Sequence, residues 1–106
     1  MQSAIESFDA LLDERALSKL KWRCRRGLLE NDLLIKKFFD FHELTLTVSQ
    51  AKGLADLMEL SDNDLLDLLL KRKEPDQLTD VAALANASSL EAIAVLNLLR
   101  PKPARI

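Results

Sequence analysis

A chain of 106 residues with 48% hydrophobic and 30% charged residues is long enough to bury one core without staples and too apolar to be disordered. Its net charge of −2 and pI near 5.4 exclude a molecule drawn as a whole to nucleic acid or an anionic membrane, and no apolar run approaches the roughly 18 residues that span a bilayer. A single cysteine excludes an intramolecular disulfide and points to a reducing compartment.

Leucine dominates, glycine is held to two residues and β-branched residues are few, so helices are favoured over strands. Residues 1–14 hold four acids and no base, which suits neither a secretory signal nor a mitochondrial transit peptide, and a cytoplasmic location with no membrane insertion is expected. Ile5, Phe8 and Leu12 fall at helical spacing, and Ala16, Leu17, Leu20 and Cys24 continue the apolar stripe, as one long helix or as a short one before the main one. Residues 15–26 then carry six Lys or Arg and no acid. This acid-then-base order matches the dipole of one helix, and Gly27 is expected to stop it in the left-handed conformation. Glu30 and Asp32 fall in the first turn of a second helix over residues 28–41. That helix is apolar through Leu29, Leu33, Leu34, Ile35, Phe38, Phe39 and Phe41, and is expected to be central and the most buried.

Residues 42–46 read as a connection that contains His42. Thr47-Val48-Ser49-Gln50 has the form of a capping box, with Leu46 and Ala51 as a hydrophobic staple. It opens a third helix over residues 48–60 with Val48, Ala51, Leu54, Ala55 and Met58 inward. Gly53 inside it costs about 1 kcal/mol relative to Ala, which suggests close packing or a softer helix. Ser61 or Asp62 caps a fourth helix of Leu65, Leu66, Leu68, Leu69 and Leu70, which runs into Lys71-Arg72-Lys73 and is closed by Pro75. Residues 78–85 are apolar enough for a short helix, and Ser88-Ser89-Leu90-Glu91 matches a second capping box. The final helix, residues 89–100, presents Leu90, Ile93, Ala94, Leu96 and Leu98, and Pro101 and Pro103 end it before a mobile tail. The expected fold is therefore all-α, one small compact bundle of five helices with a sixth candidate in residues 78–85. Residues 1–12 form an N-terminal extension and residues 77–106 a C-terminal helical region.

Catalytic chemistry finds little support. The only histidine, His42, has no Ser or Cys partner at motif spacing, so no enzyme is expected. One His and one Cys are too few soft ligands for zinc. Asp62-Asn63-Asp64 opens like a calcium loop, but Leu66, Asp67 and Lys73 stand where an oxygen ligand, Gly and Glu are required. No glycine-rich loop follows a strand, so no tightly bound FAD or nucleotide is expected.

The density of function-bearing residues lies at Trp22-Arg23-Cys24-Arg25-Arg26-Gly27. Two readings of it stand open. Dipole complementarity and a glycine stop account for each residue type without a partner. Three arginines in four positions beside a Trp and a bare glycine also make a surface for several guanidinium forks and one close backbone approach, as at a protein interface. Cys24 reads as packed rather than reactive.

The run Cys24-Arg25-Arg26-Gly27-Leu28-Leu29-Glu30-Asn31-Asp32, with Trp22 before it and Phe38-Phe39-Asp40 after it, resembles the Arg-Gly-x-x-Glu signature of the succinate dehydrogenase flavinylation factors. These are small helical proteins that assist covalent FAD attachment to the flavoprotein subunit. Ser61-Asp62-Asn63-Asp64-Leu65-Leu66-Asp67 resembles the start of that family's fourth helix, and Lys73-Glu74-Pro75 the break after it. The likeness covers about residues 13–76. It departs in the extension before residue 13, in Leu68 where Trp is common, and in a longer stretch between Pro75 and the last helix. The resemblance implies an assembly chaperone that docks on the apo-flavoprotein of succinate dehydrogenase or fumarate reductase. Its partner-binding residues would be Arg25, Arg26, Gly27, Glu30 and Asp32, with Trp22 flanking, and the FAD would sit in the partner. Since the family's reaction modifies a histidine of the partner, His42 is not that site. The alternative is a small helical regulator or antitoxin-like protein that sets Arg23, Arg25 and Arg26 against nucleic acid or a toxin, and the acidic pI disfavours nucleic acid.

Overall fold

Local chemistry marks nearly every helix start in a computed structural model that describes residues 10–25 and 27–100. The expected helical placement of Ile5 and Phe8, the position of Arg26 and the mobile tail after Arg100 lie outside the described residues. Among the described residues six α-helices follow one another: α1 (Glu14–Arg23), α2 (Leu29–His42), α3 (Val48–Leu57), α4 (Asp62–Leu69), α5 (Val81–Ala87) and α6 (Leu90–Leu99), with single 3-10 turns at Glu43–Thr45 and Pro75–Gln77. The all-α reading holds, and the sixth candidate is real, shifted to Val81–Ala87 because Asp80 caps it, accepting from the Ala83 N–H at 2.9 Å. Asp13, Thr47, Ser61 and Ser89 cap α1, α3, α4 and α6 in the same way. Each satisfies one of the donors a helix start leaves open. Thr47 and Gln50 form the reciprocal box that their spacing implied. The second expected box, Ser88 with Glu91, does not form, and α6 has a simple serine cap with Ala92 at the third helical position. Ser88 is spent closing α5, its N–H donating to Leu84 and Ala85 oxygens, so the cap of α6 falls to Ser89.

At residues 10–12 the stripe is not helical. The Leu12 N–H donates to Leu46 O at 2.8 Å, the Val48 N–H donates to Ala10 O at 2.9 Å, and Leu11 and Thr47 make an antiparallel bridge. Residues 10–12 are thus extended along the entry to α3. Leu12 still packs on the core, and Asp13 begins α1 immediately afterwards.

The core is built where α3 crosses α6, with Leu54 and Leu57 of α3, Leu65, Leu68 and Leu69 of α4, and Val95 and Leu96 of α6 buried. Gly53 permits the crossing. A Cβ there would stand 2.2 Å from Glu91 O and 2.5 Å from Glu91 C, so close packing, not softness, explains this glycine.

α2 is less central than its composition suggested. Ile35, Phe38 and Phe39 are buried, but Leu29, Leu33 and Phe41 are 66%, 58% and 74% exposed. One side only meets α4 and α6, and the outer side faces solvent. His42 is the last residue of α2, not part of a loop, and its ring lies 5.0 Å from that of Phe38. α4 closes earlier than Pro75: Lys71 takes φ 61°, and the N–H groups of Arg72 and Lys73 turn back to Asp67 O. Arg100 then locks this end, donating from Nε to Leu68 O at 2.7 Å and from its terminal nitrogens to Lys73 O and Glu74 at 3.2 Å. No single described helix is long and apolar enough to cross a membrane, and the α5–α6 pair is bent by 75°.

Candidate protein-binding site

The corner between α1 and α2 gathers the residues singled out by sequence. α1 ends at Arg23, and Cys24 caps it through its own N–H to Leu20 O at 3.0 Å, with its side chain buried. Arg25 follows, its N–H on Trp22 O at 3.2 Å. The helix is thus closed before Gly27 is reached. No glycine in the described chain has a positive φ, so the expected left-handed stop at Gly27 is overturned. Gly27 is exposed, and among the described residues a Cβ on it would meet only Asp62 Oδ2, at an ordinary 3.8 Å. Neither the backbone nor the packing of this fold requires a glycine there.

Trp22 projects into solvent at 71% exposure, and the Arg25 guanidinium lies over its ring, 4.9 Å from the centroid, as a cation–π pair. Arg23 is drawn away to Glu59 and Lys21 to Glu43. The basic block is thereby divided and partly neutralised rather than laid out as a track for phosphates, which weighs against the nucleic-acid reading. Arg26 lies outside the described residues.

Glu30 and Asp32 open α2 but face different ways, being two residues apart on a helix. Exposed Glu30 lies on the outer face, whereas half-buried Asp32 shares with Arg25 and Lys36 a groove of about 570 Å³ between α1 and α2, floored by Cys24 and Phe39. Between them Asn31 points inward with no exposure at all. Its Nδ2 donates to Asp62 O at 3.0 Å, and its Oδ1 has no hydrogen-bond partner. Asn31 therefore ties the start of α2 to the start of α4, directly beneath the Gly27 corner. Sequence reading left it unassigned, although its phase with Ile35 and Phe38, at i, i+4 and i+7, marks it as inward.

No group of three or more His, Cys, Asp or Glu among the described residues is arranged to hold a metal ion. Away from the corner, the hydrogen bond and charge of Asp56 hold the Lys52 ammonium above its ordinary 10.5.

The comparisons with known proteins bear on the same stretch. A family model described as "Flavinator of succinate dehydrogenase" matches residues 18–89, running past the 13–76 core into α5. Among relatives, the "FAD assembly factor SdhE" of Ralstonia nicotianae is 44% identical over 84 residues, 79% of this chain and 88% of its own. The protein of the same name from Aliivibrio fischeri is 39% identical over 83 residues, 76% and 87% of the two chains. That from Legionella pneumophila strain Paris is 39% identical over 66 residues, 62% and 84%. No solved structure matches the chain.

Proposed function

The chain belongs to the family of flavinators of succinate dehydrogenase, and from that premise we propose that it is an assembly factor that binds the flavoprotein subunit and promotes its covalent FAD attachment. It acts without catalytic residues of its own. The flavin and the histidine that receives it belong to the partner, and this chain supplies a rigid surface that favours the conformation in which they react. Arg25, Arg26, Gly27 and Glu30 form the centre of that surface, Trp22 flanks it, and Asp32 lines the groove behind it. Succinate dehydrogenase is the client of first choice and fumarate reductase the second. The cytoplasm is the expected compartment.

The observation that carries the reading is Gly27. An exposed glycine without a positive φ, where an added Cβ would reach Asp62 Oδ2 at an ordinary 3.8 Å, is not required by the described fold, and relative to Ala it enlarges the conformational entropy of the unfolded chain. Its use is to admit another backbone at close range. Arg25 and Trp22, paired in the free protein, are residue types enriched at the centres of interfaces.

The test is co-expression of the flavoprotein with Gly27→Arg or Glu30→Ala, with covalent flavin read by ultraviolet fluorescence in a denaturing gel beside the melting temperature of each purified variant. The expected result is loss of covalent flavin with the fold retained. Normal flavin incorporation by a well-folded Gly27→Arg protein removes the corner from the mechanism.

A further inference from the structure

A second groove, of about 480 Å³, lies between α2 and α6, and its walls have an unusual balance. Phe41, Leu34 and Leu98 give it an apolar face, and Phe41 is 74% exposed. Among the described residues, every charged or titratable one lining it is basic: Lys37, His42 and Arg100. Arg100 is committed to Leu68 O, Lys73 O and Glu74, whereas Lys37 is exposed and enters no ion pair among the described residues. In a chain of net charge −2, this is an apolar slot with a locally positive rim.

The groove is also joined to the Gly27 corner. Glu30, Leu34, Lys37 and Phe41 follow one another at i, i+4, i+7 and i+11, a single stripe down the outer flank of α2 about 16 Å long. A partner seated on Gly27 and Glu30 is thereby led along α2 to the groove.

We infer that this groove is a second docking point for the flavoprotein, receiving an apolar segment that carries Asp or Glu beside its buried side chains. This rests on the reading of the Gly27 corner as the primary contact. The basic rim selects the occupant. Lys37, exposed and in no ion pair among the described residues, attracts an acidic segment of another protein.

The experiment measures binding of purified apo-flavoprotein subunit to the full chain in wild-type form and as Phe41→Asp, Lys37→Glu and Gly27→Arg, with sedimentation of each variant alone. Phe41 and Lys37 are exposed, so these substitutions leave the melting temperature close to that of the wild type. Phe41→Asp is expected to weaken binding by about tenfold or more, chiefly through faster dissociation. Lys37→Glu is expected to slow association, an effect that fades as salt is added. Unchanged binding by both groove variants, with loss only in Gly27→Arg, overturns the groove and leaves the corner standing. Unchanged binding by all three overturns both. A wild-type dimer that Phe41→Asp converts to monomer with flavoprotein binding intact makes the groove a self-interface and also overturns the proposal.

Discussion

Gly53→Ala tests how tightly the bundle is drawn together. The added Cβ would lie 2.2 Å from Glu91 O, 2.5 Å from Glu91 C and 3.0 Å from Ala92 N. The nearest contact is about 1.2 Å short of ordinary van der Waals distance, and all three atoms are backbone, so no side chain can swing away. Two effects compete. Alanine is a better helix former than glycine by about 1 kcal/mol, and overpacking a close contact costs about 1–3 kcal/mol. Relief here requires α3 and α6 to separate along the most buried seam of the fold, which puts the cost at or above the upper end of that range and leaves a net loss of about 2 kcal/mol. At about 4–8 °C per kcal/mol for a domain of this size, the melting temperature falls by roughly 8–15 °C. Thermal unfolding followed by far-ultraviolet circular dichroism reads this directly, with Gly27→Ala as the control expected to stay within about 0.5 kcal/mol of the wild type. A Gly53→Ala protein as stable as the wild type would refute the close crossing and with it the placement of α6.

Two further outcomes follow from buried polar groups. Asn31 has one satisfied donor and one unsatisfied acceptor at zero exposure, so Asn31→Leu is expected to be near neutral in urea unfolding, within about 1 kcal/mol. Asn31→Asp, which buries a carboxylate, is expected to lose about 3 kcal/mol or more at neutral pH and to recover as the acid is protonated. Equal stability of the two variants at neutral pH would show that the site is wet. Arg100→Met leaves the oxygens of Leu68 and Lys73 without its guanidinium donors and is expected to cost about 1–3 kcal/mol; an unchanged urea midpoint would mean that the lock at the end of α4 is solvent-borne.

What was legible in the sequence was local. Thr47 with Gln50 and the serine before α4 signal helix starts because a cap joins groups three residues apart, and such contacts need no knowledge of the rest of the chain. The pairing of residues 10–12 with residues 46–48 could not be read this way. Leu12 happens to continue a helical phase, and the competing hydrogen bonds come from a segment more than thirty positions away. Gly27 misled for a different reason. A glycine after a basic run has the appearance of a left-handed stop, but Cys24 had already closed α1 with its own N–H, and sequence does not reveal whether a glycine answers a backbone angle or a neighbour's approach. The apolar richness of α2 was real, yet composition does not say which side of a helix finds a covering element.

That uncovered side bears on the proposed docking surface. An isolated exposed leucine is ordinary on a protein surface, but α2 carries Leu29, Leu33 and Phe41 all more than half exposed. Each forgoes the roughly 1.5–3 kcal/mol that full burial of such a side chain would contribute. The three lie on the same helix as Glu30 and begin two residues after Gly27. Charge alone does not explain this layout, because Lys36 is paired with Asp40 and Arg23 with Glu59 within the chain. A surface helix whose charges are partly balanced internally while its leucines and phenylalanine remain in water is arranged for burial against something else. The rigid features around it serve the same end. Asn31 anchors the start of α2 to α4, Phe38 and Phe39 hold its inner face, and the Trp22–Arg25 pair stands beside its first turn. An assembly factor that imposes one conformation on its client needs such a surface fixed before contact, since each side chain already ordered in the free protein is one that binding does not have to immobilise.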